Sequence, residues 1–197
     1  MDRERIERQR SFILELDKEK SIFRQTHIVG LSRPENDAEH AWHMAIMLYL
    51  LREYADEPFD LGRAMLMALV HDVVEIDAGD TYAYDTEGQS TAHEREQAAA
   101  DRLYGLLPED QGAELRALWE EFEANETPEA HMVHLVDNTQ PMFLNLANKG
   151  NDWHTHDVHK SQTAGRRAQI HLASKEMGAY VEELLDNAVE QGYLGAG

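Results

Sequence analysis

The stretch Ala64-Met65-Leu66-Met67-Ala68-Leu69-Val70-His71-Asp72-Val73-Val74-Glu75 carries the clearest signal in the chain. An unbroken apolar run with Asp60 placed to cap it predicts a helix to about Ile76, apolar all round and hence buried. His71 and Asp72 interrupt that apolar surface. Ionisable groups are costly there unless they are paired or hold a cation. Glu75 lies one turn after His71, so both project to the same side. Gly79 ends the run and Asp80 follows it. Two readings stand side by side. In one, the helix end reaches water and Asp72 satisfies His71. In the other, four polar groups converge to bind a cation.

Outward from this helix, the pattern is helical almost throughout. Residues 4–18 carry Ile6, Phe12, Ile13, Leu14 and Leu16, enough for a first helix. Residues 24–37 hold Gly30 and Pro34 and read as a loop. Residues 38–55 predict a second helix, apolar nearly all round from Met44 to Leu51. A polar loop spans 80–90. Thr91 with Glu94 fits a capping box, so a fourth helix runs from there to about Gly105. Residues 109–124 make a fifth. Thr127 followed by Pro128 opens a sixth, which reaches about Asn148 and is kinked by Pro141. Residues 158–191 form one long or broken last helix. The expectation is an all-α chain of six to seven helices in one domain, 1–197, with a motif-bearing core at about 24–150.

Composition narrows the function. The 197 residues include 38 acidic and 18 basic side chains, a formal net charge of −20. Such a surface repels nucleic-acid polymers and anionic membranes, but a metal and an Arg or two can reverse the sign locally for a small anionic substrate. Cys is absent, which removes disulfides and thiolate zinc sites. The N-terminus MDRERIERQR lacks the apolar run of a signal peptide, and the longest apolar stretch, near Ala45 to Leu51, is too short to span a bilayer. The expected compartment is the cytoplasm.

Two more segments bear on the cation reading. Asn36-Asp37-Ala38-Glu39-His40 opens the second helix, with His40 just before its buried part. Asp137 lies in His134-Leu135-Val136-Asp137-Asn138, another carboxylate in an apolar context. Two neutral imidazoles and two carboxylates suit Mn²⁺, Fe²⁺, Co²⁺, Ni²⁺ or Zn²⁺ better than Ca²⁺, and leave positions open for water and substrate.

A His, a His-Asp pair and a distant Asp, all on helices, resemble the HD superfamily of metal-dependent phosphohydrolases. The blocks Arg33-Pro-Glu-Asn-Asp-Ala-Glu39-His40 and His71-Asp72-Val-Val-Glu75-Ile-Asp-Ala-Gly79-Asp80 are similar to those of the bacterial 5′-deoxynucleotidases, over roughly residues 10–160. The resemblance implies an HD-type helical bundle. It implies one divalent metal (Mn, Co, Fe, Ni, Zn or Mg) held by His40, His71, Asp72 and Asp137, and hydrolysis of nucleoside 5′-monophosphates or a related small phosphorylated metabolite. It further implies proton transfer at Glu75, a catalytic or substrate-binding Asp80, and a phosphate-holding Arg upstream, for which Arg24 and Arg33 are the candidates. Glu75 can instead orient His71, and Asp80 can stabilise its loop. Gln25 departs from the family, where an aromatic residue follows that Arg and helps reject ribonucleotides.

Other residues stay open. His43 and His134 each lie one turn from an expected ligand. The tract Asp152-Trp153-His154-Thr-His156-Asp157-Val-His159 resembles a metal-binding run on a polar loop. Tyr82, Tyr84 and Asp85 can form a lid over a base. A di-iron oxygenase needs further His ligands, available only at His93, His131 and His134. A non-catalytic nucleotide-binding protein is the third reading. Pairing of two copies through the last helix is expected.

Overall fold

The computed structural model describes residues 2–79 and 86–197, with side chains described for all of these except 86–92. Helix α1, Arg3–Leu16, starts at Asp2, whose carboxylate accepts from the Arg5 N–H at 3.0 Å. A short 3₁₀ turn, Asp17–Ser21, leads into strand β1, Phe23–His27, which pairs antiparallel with β2, Pro34–Asn36. This hairpin corrects the loop expected over 24–37. Residues 23–27 alternate only weakly in polarity, so no strand signal stands out in the sequence. Asn148, just past the helix Pro128–Ala147, stitches the hairpin tip to that helix: its amide donates to the His27 and Ile28 carbonyls, and its oxygen accepts from the Gly30 N–H.

Helix α2, Asp37–Leu51, begins with a capping box. The Asn36 side chain accepts from the Glu39 N–H at 2.9 Å, and the Glu39 carboxylate accepts from the Asn36 N–H at 3.2 Å. Asp60 caps α3, Leu61–Val70. The expected continuation of α3 to Ile76 does not occur. Residues 71–74 form a turn with tight contacts such as Val73 N–H to Val70 O and Glu75 N–H to Asp72 O (2.9 Å), before the short helix α4, Glu75–Ala78.

Helix α5, Thr86–Tyr104, begins five residues before the expected Thr91 cap; a Ser or Thr inside a helix mimics the cap signature. Helix α6, Glu109–Ala124, and α7, Pro128–Ala147, fall where caps and Pro place them. Helix α7 runs on through Pro141, whose missing N–H would have served the Asp137 carbonyl. The segment 158–191 takes the broken form: a 3₁₀ turn, Lys160–Thr163, then α9, Ala164–Ala173, and α10, Lys175–Glu190, the two helices divided by the extended Ser174, which caps α10; the short helix α8, Asn151–Thr155, lies ahead of that segment. These short pieces add to the six or seven helices expected.

One apolar core runs from Phe12 in α1 to Leu194 after α10, centred on fully buried Met44, Leu48, Met67, Trp119 and Leu135. Helices α2, α3 and α7 pack on one another, with the hairpin beside α7. Contrary to the expectation of burial all round, α2 exposes Trp42, Ile46, Tyr49 and Leu50, and α3 exposes Leu66 and Leu69. Among the described residues, no helix is long and apolar enough to cross a membrane.

Candidate metal centre

Helices α2 and α3 bring His40, in the first turn of one, beside His71, at the end of the other. Their rings lie 5.7 Å apart and both are buried. His71 keeps helical dihedrals, but from there the hydrogen bonds tighten to three-residue spacing, and the neighbouring Asp72 faces the same space. Donor atoms of His40, His71 and Asp72 all lie within 4.8 Å of one another. Asp137, from α7, reaches His40 Nε2 with Oδ1 at 3.1 Å.

The imidazoles are oriented for a cation. His71 Nδ1 lies 2.9 Å from the Ala68 carbonyl, which can only accept, so Nδ1 carries a proton. Its Nε2 is buried 3.0 Å from Asp72 Oδ2, yet no hydrogen bond of proper alignment serves it. A buried nitrogen left in this way is costly, and a divalent cation would satisfy it. The donor set of two imidazoles and two carboxylates fits a first-row divalent metal.

Arg24, on β1, sits in the same space. Its guanidinium lies 2.6 Å from Asp72 Oδ2, 3.6 Å from Asp37 Oδ1, 4.0 Å from Glu35 Oε1 and 4.0 Å from Asp137 Oδ1. Asp37, Asp72 and Glu75 also bring carboxylate oxygens within 4.8 Å of one another. Among the described residues, four carboxylates thus gather around this guanidinium, with Glu75 beside two of them. The imbalance shows in the protonation equilibria. Burial lowers the pKa of His71, but Asp72 and Asp137 more than reverse this and raise it to about 9. Burial and Arg24 work against the charged form of His40, and Asp137 and Glu35 override them to raise it. Asp72 and Asp137 are raised by burial yet held well below the usual carboxylate range, chiefly by His71 and Arg24 for Asp72 and by His40 for Asp137. Glu19 is pushed up to about 7 by burial first, and then by Asp72 and Asp37.

The structure therefore gathers His40, His71, Asp72, Asp137, Glu75 and Arg24. It does not bring Arg33 to them. Arg33 is 43% exposed, and its guanidinium grips both oxygens of Glu39 at 2.7 and 2.5 Å, bracing the capping box of α2. Asp80 and the lid candidates Tyr82, Tyr84 and Asp85 lie outside the described residues. Gln25 is exposed, on the face of β1 opposite Arg24. His43 meets Gln140. His134 donates from Nε2 to the Phe122 carbonyl at 2.9 Å, and its ring stacks on Phe122 at 4.1 Å. In the 152–159 tract, buried Asp152 accepts from the backbone N–H of His27 and meets its Nδ1, both at 2.8 Å, which ties the hairpin to α8.

Three residues of the cluster escaped the sequence reading. Glu35 and Asp37 sit in a quoted motif block but gave no local sign of burial. Gln140 lies one turn after Asp137 on the same helix, and that spacing is a signal that could have found it.

The chain is similar to several known proteins. The chain is 34% identical over 111 residues to the human 5′-deoxynucleotidase HDDC2, covering 56% of this chain and 53% of that one. It is 34% identical over 125 residues to the HDDC2 5′-deoxynucleotidase of Xenopus laevis, covering 64% and 58%. The chain thus spans about half the length of the curated relatives it matches. The solved structure of a predicted metal-dependent phosphohydrolase from Magnetospirillum magnetotacticum MS-1 superposes with a TM-score of 0.93 at 48% identity, over 97% of this chain and 96% of that one. A Pyrococcus horikoshii protein shares the fold at a TM-score of 0.62 and 19% identity. The HD domain family as a whole matches residues 16–177, which include every residue of the cluster, and the chain belongs to that family.

Proposed function

We propose that this protein is a metal-dependent phosphomonoesterase acting on nucleoside 5′-monophosphates or closely related small phosphorylated metabolites. One divalent cation would be held by His40, His71, Asp72 and Asp137. The observation that carries the proposal is the convergence of two buried imidazoles with an excess of carboxylate around a single guanidinium. A divalent cation bound there supplies positive charge for a phosphate oxygen and lowers the pKa of a water. Arg24, 17% exposed, is the group that holds phosphate, because its planar fork can leave Asp72 for a bidentate anion. Glu75 keeps one carboxylate oxygen buried beside Asp72, where it can accept or return a proton. Arg33 acts indirectly, by fixing the start of α2 and with it His40.

The relatives named 5′-deoxynucleotidases support the nucleotide class, and the 48%-identical phosphohydrolase supports the reaction class. The di-iron alternative gains nothing from the extra histidines. His131 and His134 each place Nε2 against a backbone carbonyl, and His93 is exposed. The test is phosphate release from a panel of nucleotides and sugar phosphates with Mn²⁺, Co²⁺, Mg²⁺ and Zn²⁺ in turn. Release from 5′-monophosphates that requires the metal is expected. Two irons per chain and no release would overturn the proposal.

The proposal includes a homodimer. The exposed stripe Trp42, Ile46, Tyr49 and Leu50 on α2 offers it a better surface than the divided last helix, because it is uncharged in a strongly acidic chain. A dimer mass by light scattering is expected, and Ile46→Glu should shift it to monomer.

A further inference from the structure

We infer that Gln140 is a positioning residue that fixes the tautomer and ring plane of His40 for metal binding; the inference rests on the metal reading of the site. Gln140 is completely buried, in the turn of α7 that follows Asp137. Its side chain touches three groups. Nε2 lies 2.8 Å from Glu35 Oε2 and 3.1 Å from His43 Nδ1, and Oε1 lies 3.2 Å from His40 Nδ1.

The two ends of a buried amide cannot be exchanged freely, and here the partners decide the orientation. The buried carboxylate of Glu35 can only accept, so the NH₂ end must face it. The carbonyl end then faces His40, which must donate from Nδ1. That leaves Nε2 of His40 turned to the Asp137 carboxylate, 3.1 Å away, where a cation ligand is needed. The second N–H of the amide points at His43 Nδ1, which accepts it, so His43 is neutral with its proton on Nε2. Glu35 is therefore the reference point of the chain: carboxylate to amide, amide to imidazole, imidazole to metal. Without the amide, His40 Nδ1 has only Glu35 Oε1 at 3.5 Å, which is too long for a good hydrogen bond. Groups that hold a ligating imidazole by its far nitrogen tune metal affinity.

The test uses the full chain and Co²⁺ as probe, with affinity from chelator competition and the visible absorption of bound Co²⁺ as a second readout. Gln140→Leu removes the acceptor while keeping the volume, and is expected to weaken Co²⁺ binding by about 10- to 100-fold and to alter the absorption bands. The exchange Glu35→Gln with Gln140→Glu reverses donor and acceptor between the two positions but still offers His40 an acceptor. It is expected to restore both affinity and spectrum, and it keeps the inference open to refutation if the Leu variant does not fold. Parent-like affinity and spectrum in Gln140→Leu would overturn the inference, as would an exchange variant that binds as weakly as Gln140→Leu or as Gln140→Glu alone. His40→Ala separates the two levels of argument. If it binds Co²⁺ as the parent does, the metal reading itself fails. If it loses Co²⁺ while Gln140→Leu does not, only the role of Gln140 fails.

Discussion

Arg24 and Arg167 each reach carboxylates across elements, but their surroundings balance differently. Arg167 of α9 pairs with Glu182 of α10 at 2.5 Å, and Lys160, in the turn before α9, pairs with Glu182 at 3.2 Å and Asp186 at 2.6 Å. Two cations there meet two carboxylates, and the carboxylates keep contact with water. Around Arg24, one guanidinium meets Glu35, Asp37, Asp72 and Asp137, with Glu75 close by, and Glu35 and Asp37 are almost wholly buried. The first cluster neutralises itself and ties two helices together. The second retains negative charge in a place where uncompensated charge is expensive. In the proposed reading such an arrangement receives a cation from outside the chain, with the two histidines among its ligands.

The comparison breaks most readily at His71. His71→Ala removes the Nδ1 hydrogen bond to the Ala68 carbonyl and the contact with Asp72, so the metal-free chain loses some stability. The substitution should also abolish metal binding and with it several kcal/mol of transition-state stabilisation, on the order of a 10³-fold fall in phosphate release. Metal content and turnover are the measurements. A variant that keeps both would place the cation elsewhere. Glu75→Ala should keep the metal and lose most of the activity.

Arg24→Ala tests the imbalance directly. Removing the single guanidinium leaves the carboxylates facing one another, at a cost of about 3 kcal/mol in chelator-treated protein. Divalent cation should recover more stability in this variant than in the parent, because it replaces a missing positive charge. Arg33→Ala, whose guanidinium serves one exposed carboxylate, should cost no more than about 1 kcal/mol. Urea unfolding with and without metal distinguishes the two. Equal losses in both variants would remove the distinction between them.

A smaller effect follows from the proton that competes with the cation at His71. The folded pKa of about 9 lies above the ordinary value of 6.5. In the metal-free chain the protonated form therefore adds stability that is fully present below 6.5 and is lost as pH rises through 9. Metal must displace this proton. Its apparent affinity should rise with pH, by about tenfold per unit where one proton is released, and level off above 9. Calorimetric titrations in buffers of different ionisation enthalpy count the proton. A flat affinity between pH 6 and 8, with no proton released, would contradict the assignment.

Much of this centre could be read from residues whose local context is unusual. His71 and Asp72 stand out because they interrupt an apolar run, and Asp137 because its neighbours are apolar. Helix starts at Asp60 and Pro128 were legible because capping chemistry is local. What could not be read depends on contacts between distant segments. The hairpin exists because Asn148 and Asp152, more than 100 residues away, hold its tip. Glu35 and Asp37 are buried only because that hairpin folds over the start of α2. The hairpin sends Arg24 inward to Asp72, while Arg33, just before β2, turns to Glu39. The break in α3 at His71 carries no Gly or Pro to announce it. The split of the last helix at Ser174 is announced by a capping residue, but the apolar pattern continues across it.

The smallest expected effect belongs to the balanced cluster. Glu182→Gln removes the carboxylate that joins Lys160 to Arg167, but Lys160 keeps Asp186, and all these groups retain access to water. The glutamate's pKa is raised by burial and lowered more by its hydrogen bonds to Arg167 and Lys160, so the charged form is the stabilised one. The loss at neutral pH should be about 1 kcal/mol or less. It should shrink in high salt, because screening weakens pairs in contact with water more than buried ones. Metal affinity should not change. A loss as large as that of Arg24→Ala, insensitive to salt, would mean that cross-helix pairing, rather than the balance of charge, separates the two clusters.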